Sequence, residues 1–212
     1  MSRFRALLVA SLLLVVASTG FAADHVIVVL GDSLTAGLGV APEEAYPALL
    51  EARLRREGFD YRVVNAGVSG DTSAGGLRRI EWVLRARPEI VIVALGANDG
   101  LRGLPVASLR DNLTAIVARL RAGGARVLLA GMRLPPNYGE AYTKEFAAAF
   151  PAVARTTSAT LLPFLLQGVA GDVSLNQPDG IHPNAAGHGV IADLVWRALR
   201  PLLTREGVGG RI

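Results

Sequence analysis

The chain has 212 residues, 51% of them hydrophobic and only 19% charged, with 22 Lys and Arg against 18 Asp and Glu and no cysteine. That length and apolar content suit one domain with a full core and argue against disorder. The missing cysteine excludes disulfides, thiolate-held zinc or iron–sulfur sites, a lipidated N-terminal cysteine and a cysteine nucleophile.

Arg3 and Arg5 precede an apolar run over Ala6–Ala17, which gives way to Ser18, Thr19, Gly20 and the small residues Ala22 and Ala23. This is the pattern of an export signal over residues 1–22, cleaved after Ala22 to leave a single domain over 23–212 in the periplasm or outside the cell. An uncleaved membrane anchor is the alternative, but the run is shorter than the roughly 20 residues a bilayer span needs. Removing the segment takes two arginines and no acid, so the formal charge falls from +4 to +2. Arg53, Arg55, Arg56, Arg78, Arg79, Arg85 and Arg87 are spaced as on solvated helix faces, and the weak residual charge argues against nucleic-acid binding.

Short apolar runs without polar alternation recur at Val26–Leu30, Val63–Val64, Ile90–Leu95, Val127–Ala130 and Leu161–Phe164, as strands buried on both faces require. Helical periods lie between them, clearest in Leu109, Leu113, Ile116, Val117 and Leu120 and again in Val190, Ile191, Leu194, Val195, Ala198, Leu199 and Leu202. Alternating strands and helices predict an α/β fold with a five-stranded parallel sheet wound on both faces, whose ligands bind at the carboxyl ends of the strands.

The segments that follow the strands carry the chemistry. After the first comes Gly31-Asp32-Ser33-Leu34, where a sharp exit from the strand could project the serine as a nucleophile. A helix cap explains the same tetrapeptide. After the second, Gly70 could present a backbone N–H, and Asp71 reads as the N-cap of a helix carrying Leu77, Ile80 and Leu84. After the third, Asn98 in Gly96-Ala97-Asn98-Asp99-Gly100 places an amide at the same edge, or is an ordinary turn asparagine. Near the end lies Asp179-Gly180-Ile181-His182-Pro183-Asn184, with Pro183 suited to the first position of the last helix. A carboxylate three residues before a histidine can accept the Nδ1 proton and hold Nε2 outward as a base.

Of the three histidines, His25 starts a strand and His188 sits inside a helix, so only His182 has an adjacent orienting carboxylate. A metal held by Asp179, His182 and His188 is the weaker reading, because ligands on one helix face want a spacing of three or four. No cofactor is expected: the phosphate-loop pattern is missing, and Gly37-Leu38-Gly39 runs into Pro42 where a dinucleotide fingerprint needs glycine or alanine.

Taken together and in order, Gly31-Asp32-Ser33-Leu34, the block from Gly67 to Thr72, Gly96-Ala97-Asn98-Asp99 and Asp179-Gly180-Ile181-His182-Pro183 resemble the SGNH, or GDSL, hydrolase family. Asn98-Asp99-Gly100-Leu101-Arg102-Gly103, Arg133–Gly139 and Leu161-Leu162-Pro163-Phe164 resemble its bacterial periplasmic branch of thioesterase I, lysophospholipase L1 and arylesterase. The likeness runs from about Asp24 to about Leu203. It implies a flavodoxin-like three-layer fold and a serine hydrolase of acyl esters or thioesters. By the same resemblance Ser33 is the nucleophile, His182 the base, Asp179 its orienting acid, and Ser33, Gly70 and Asn98 the oxyanion donors. Ala97 departs from the glycine that close relatives often carry.

Leu101–Leu104 and Leu134–Tyr138 mix apolar residues with Gly and Pro as an acyl-chain groove would, so Leu101, Leu104, Leu134, Pro135, Tyr138 and Ile181 are the candidate substrate contacts. The resemblance implies small-molecule or lipid-like acyl substrates, with no metal. A carbohydrate acetylesterase of the same family and a non-catalytic secreted binding module are the competing readings.

Overall fold

The computed structural model describes residues 25–204, so the export-signal reading of residues 1–22 lies outside the described residues. Each apolar run becomes a strand: β1 (His25–Gly31), β2 (Tyr61–Gly67), β3 (Ile90–Ala94), β4 (Arg126–Ala130) and β5 (Thr160–Leu162). They align in the order β2-β1-β3-β4-β5, every neighbouring pair parallel. The helices are α1 (Ser33–Ala36), α2 (Tyr46–Arg56), α3 (Ser73–Arg78), α4 (Ile80–Arg85), α5 (Ala97–Leu101), α6 (Val106–Ala122), α7 (Glu140–Thr157) and α8 (Ala185–Leu199).

Strand order and handedness together fix the layers. The step from β1 to β2 runs one way across the sheet and the steps to β3, β4 and β5 run the other. Right-handed crossovers therefore put α2 on one face and α3, α4, α6 and α7 on the opposite face. The contacts agree, with α8 packed on α2 and α6 packed on α3, α4 and α7. This is a three-layer α/β/α architecture with the flavodoxin-like strand order that the resemblance implies. Because the direction reverses between β1 and β3, the loops after these two strands diverge and open a crevice at the carboxyl edge.

Burial explains why the runs read as they do. Every residue of β3 is buried, and so is β1 from Val26 onward, because helices cover both sides of the sheet. The edge strand β2 is longer than Val63–Val64 because one side is open, which lets Arg62 and Asn65 face solvent inside a paired strand. In α6 the stripe of Leu109, Leu113, Ile116, Val117 and Leu120 is wholly buried. In α8 the buried stripe is Ile191, Ala192, Val195, Trp196 and Leu199, whereas Val190, Leu194 and Ala198 are only partly covered, as is Leu202, which lies beyond the helix in a 3-10 turn.

Three local expectations are corrected. The helix through Leu77, Ile80 and Leu84 breaks at Arg79 into α3 and α4, and its N-cap is Thr72, whose side chain accepts the Gly75 N–H, not Asp71. The last helix starts at Ala185, capped by Asn184, because Pro183 is held in a bridge with Asn176. Of the seven arginines read as solvated, Arg53 lies over Trp196 and Arg79 is turned inward onto backbone carbonyls.

Candidate active site

Ser33 stands where β1 ends. Asp32 caps α1 by accepting the Leu34 N–H at 3.0 Å, so the capping role falls on the aspartate and the serine hydroxyl is left for other work. The turn is tight: a side chain at Gly67 would bring its Cβ within 2.2 Å of the Ala36 nitrogen, so glycine is what lets β2 and α1 approach. Asp32 is 1% exposed, and burial pushes its carboxyl up to about 6 against the Leu34 hydrogen bond that lowers it.

His182 arrives from the opposite end of the chain, 149 residues away, with Nε2 2.9 Å from Ser33 Oγ. Asp179 holds it from behind: Oδ2 is 2.6 Å from His182 Nδ1, and Oδ1 accepts the Ile181 and His182 N–H groups, each at 3.0 Å. Those two backbone bonds and the imidazole lower the Asp179 carboxyl to about 2. The loop that carries both is tied down by polar side chains. Asn176 donates to the Val169 and Asp172 carbonyls, and Gln177 donates to the Leu38 and Pro183 carbonyls. The turn itself closes through Gly180, whose φ of +74° favours glycine.

The candidate donors flank the serine. Ser33 opens α1, where its own N–H lacks an intrahelical carbonyl. Gly70 lies in a turn closed by Asp71 N–H on the Val68 carbonyl, a bond that leaves the Gly70 N–H out. Asn98, in the first turn of α5, donates from Nδ2 to the Asp71 carbonyl at 2.9 Å and lies 3.4 Å from Asp32 Oδ2. Arg102 clasps the Gly70 carbonyl at 2.8 Å. The loops after β1, β2 and β3 thus converge on one small volume beside Ser33.

Residues 29–190 match the model of the GDSL-like Lipase/Acylhydrolase family. The chain belongs to that family. It is accordingly an ester or thioester hydrolase of the serine type. Among its relatives, it is 47% identical to the "Esterase TesA" of Pseudomonas aeruginosa over 94% of this chain and 100% of that one. It is 39% identical to the "Thioesterase 1/protease 1/lysophospholipase L1" of Escherichia coli K12, over 92% and 93% of the two chains. A crystal structure of TesA superposes with a TM-score of 0.82 at 47% identity, covering 84% of this chain and 100% of that one.

Beside the serine of this GDSL-family chain lies a cleft of about 500 Å³ with mostly apolar walls. Leu101, Leu134, Pro135 and Ile181 line it, as their sequence positions suggested. Leu104 and Tyr138 do not: Tyr138 turns outward to give its hydroxyl to the Leu101 carbonyl, and the Leu104 carbonyl accepts the Tyr142 hydroxyl. Sequence reasoning missed Met132, Phe164, Leu166 and Ala170, which line it as well. Pro163 ends β5 early, so Phe164 falls into the loop and faces the cleft beneath the Arg133 guanidinium, 5.2 Å from its ring centre.

His188 is separate from all this. It is 1% exposed, stacks on Tyr46 and accepts the Tyr46 N–H through Nδ1, with burial holding its imidazole below the usual range. Among the described residues no group of three or more His, Asp or Glu side chains is arranged to hold a metal ion.

Proposed function

We propose that this hydrolase cleaves acyl esters and thioesters through an acyl-enzyme on Ser33, with His182 as base and Asp179 as its orienting acid. The observation that carries the reading is the continuous line from Asp179 Oδ2 to His182 Nδ1 at 2.6 Å and from His182 Nε2 to Ser33 Oγ at 2.9 Å. Ser33 Oγ attacks the carbonyl carbon while Nε2 takes its proton. The imidazolium, held by ionised Asp179, then protonates the departing alcohol or thiol. Water repeats the sequence and releases the acid. The N–H groups of Ser33 and Gly70 and the Asn98 amide receive the oxyanion, which exists only at the tetrahedral stage, so their stabilisation lowers the barrier rather than tightening substrate binding.

The apolar cleft supports medium or long acyl chains rather than acetate as the preferred acyl group, in keeping with the thioesterase and lysophospholipase names of relatives. The charge and apolar run of residues 1–22 support an exported enzyme cleaved after Ala22. Sequencing the N-terminus of protein recovered from a periplasmic fraction tests that, with Ala23 expected first.

The function is tested by comparing p-nitrophenyl acetate, p-nitrophenyl octanoate and an acyl-CoA, each with the parent chain and with Ser33→Ala. The octanoate and acyl-CoA should outrun the acetate, and Ser33→Ala should abolish all three. Acetate preference would favour a carbohydrate acetylesterase, and no hydrolysis of any would favour a binding module.

A further inference from the structure

Through its guanidinium Arg79 touches the carboxyl ends of two strands, β1 and β2, at once. It lies at the break between α3 and α4, with its side chain 20% exposed. Nη2 donates to the Gly31 carbonyl at 2.9 Å, Nη1 to the Ala66 carbonyl at 2.6 Å, and Nε to Asp71 Oδ2 at 2.8 Å. Three of its five donors are therefore spent in fixed directions that a planar fork can satisfy and an ammonium cannot. The site is shaped for the carboxylate as well: a Cβ at Gly75 would stand 1.6 Å from Asp71 Oδ1.

Two of these three partners, Gly31 and Asp71, lead directly to oxyanion donors. Gly31 ends the strand that leads through Asp32 to Ser33. Asp71 follows Gly70 directly, and its main-chain carbonyl accepts Asn98 Nδ2 at 2.9 Å. Asp71 thus receives Arg79 on its side chain and Asn98 on its backbone. Displacing the carboxylate would move the peptide beside Gly70 and the carbonyl that aims the Asn98 amide. Charge-assisted hydrogen bonds with little exposure to water resist that displacement more than neutral ones do.

We propose that Arg79, acting through Asp71 and the Gly31 carbonyl, is the positioning residue that sets all three oxyanion donors. The inference rests on the assignment of Ser33, Gly70 and Asn98 as that hole. It touches no substrate, so its loss should appear in turnover and not in affinity. A displacement of about 1 Å at a reacting centre costs about a hundredfold, so Arg79→Lys should lower kcat between about tenfold and about a hundredfold with KM nearly unchanged.

The test measures kcat and KM on p-nitrophenyl octanoate for Arg79→Lys, Asn98→Ala and the double variant, with thermal melting of each. Acting through the same donors, the two changes should together cost clearly less than the product of their separate effects. If Arg79→Lys does not fold, Asp71→Asn, which keeps an oxygen for the Thr72 N–H at 3.1 Å but loses the charge facing Arg79, takes its place with the same expected outcome. A variant that melts lower but keeps its kcat, one that raises KM alone, or a double variant showing the full product would overturn the proposal. If Asn98→Ala itself keeps normal kcat, the oxyanion assignment fails instead. A slow Asn98→Ala beside a normal Arg79→Lys sinks only the role of Arg79.

Discussion

Replacing Asp179 with asparagine changes one atom and should nearly stop turnover. In the native arrangement Oδ1 accepts two backbone N–H groups, from Ile181 and His182, and Oδ2 faces His182 Nδ1 at 2.6 Å. An asparagine must keep its oxygen toward the two N–H groups, because its NH₂ cannot accept from them. The NH₂ then faces Nδ1 and donates to it, which forces the ring proton onto Nε2. That nitrogen, 2.9 Å from Ser33 Oγ, can now only donate, and the serine loses its base. The corresponding change in a trypsin-type triad costs about 10⁴ in kcat through the same tautomer inversion, and a loss of about that size is expected here. Release of p-nitrophenol from the octanoate ester at pH 7.5 measures it, and a melting curve checks that the loop still folds. KM should move little. A folded Asp179→Asn protein working within about tenfold of the parent would refute the reasoning, because no general base could then depend on this carboxylate.

Removing one oxyanion donor typically costs about a hundredfold to a thousandfold in kcat, so Asn98→Ala should fall in that range, read in the same assay. Asp32→Asn should alter how stability varies with pH. The folded carboxyl titrates near 6 instead of 3.8, so the folded chain binds the proton more tightly than the unfolded one. The Asp32 contribution to stability therefore declines as pH rises from about 4 to about 6, by about 3 kcal/mol at about 1.4 kcal/mol per pH unit. Urea melts at pH 4 and pH 7 should show the variant gaining stability relative to the parent over that interval by about this amount; the same pH dependence in both would contradict the burial argument. Ala170→Trp, at an exposed point of the cleft wall, should lower kcat/KM for octanoate several-fold and leave acetate unchanged, whereas equal losses would place the acyl chain elsewhere.

The parts of this fold that came through from sequence are those where one segment answers to one environment. Val26–Leu30 and Ile90–Ala94 are apolar throughout because both sheet faces are covered, and the stripe of α6 repeats because one side of a helix meets the sheet. Parallel strands also send every βα loop to the same edge, so the Ser33, Asn98 and His182 segments could be assigned to one crevice without knowing a distance. What stayed hidden depends on contacts between loops. Asp71 reads as a cap by position, yet its carboxylate turns to Arg79, and Arg79 reads as solvated because its helical spacing says nothing of the strand ends beneath it. The wall formed by Phe164, Leu166 and Ala170 belongs to the irregular stretch between β5 and α8, which has no period to read. Tyr138 and Leu104 read as groove residues because their segments follow strands, but the Tyr138 hydroxyl goes to the Leu101 carbonyl and neither residue lines the cleft.

The central claim is that Ser33 is the nucleophile and that its oxyanion meets donors from three separate loops. A crystal structure of the chain after reaction with a p-nitrophenyl alkylphosphonate tests it most directly, since the phosphonyl oxygen stands in for the oxyanion. The account predicts one adduct, on Ser33 Oγ, with that oxygen about 2.7–3.1 Å from the Ser33 and Gly70 nitrogens and from Asn98 Nδ2, and the alkyl chain in the cleft against Leu134 and Phe164. An adduct on another residue, or a phosphonyl oxygen pointing away from Gly70 and Asn98, would contradict it.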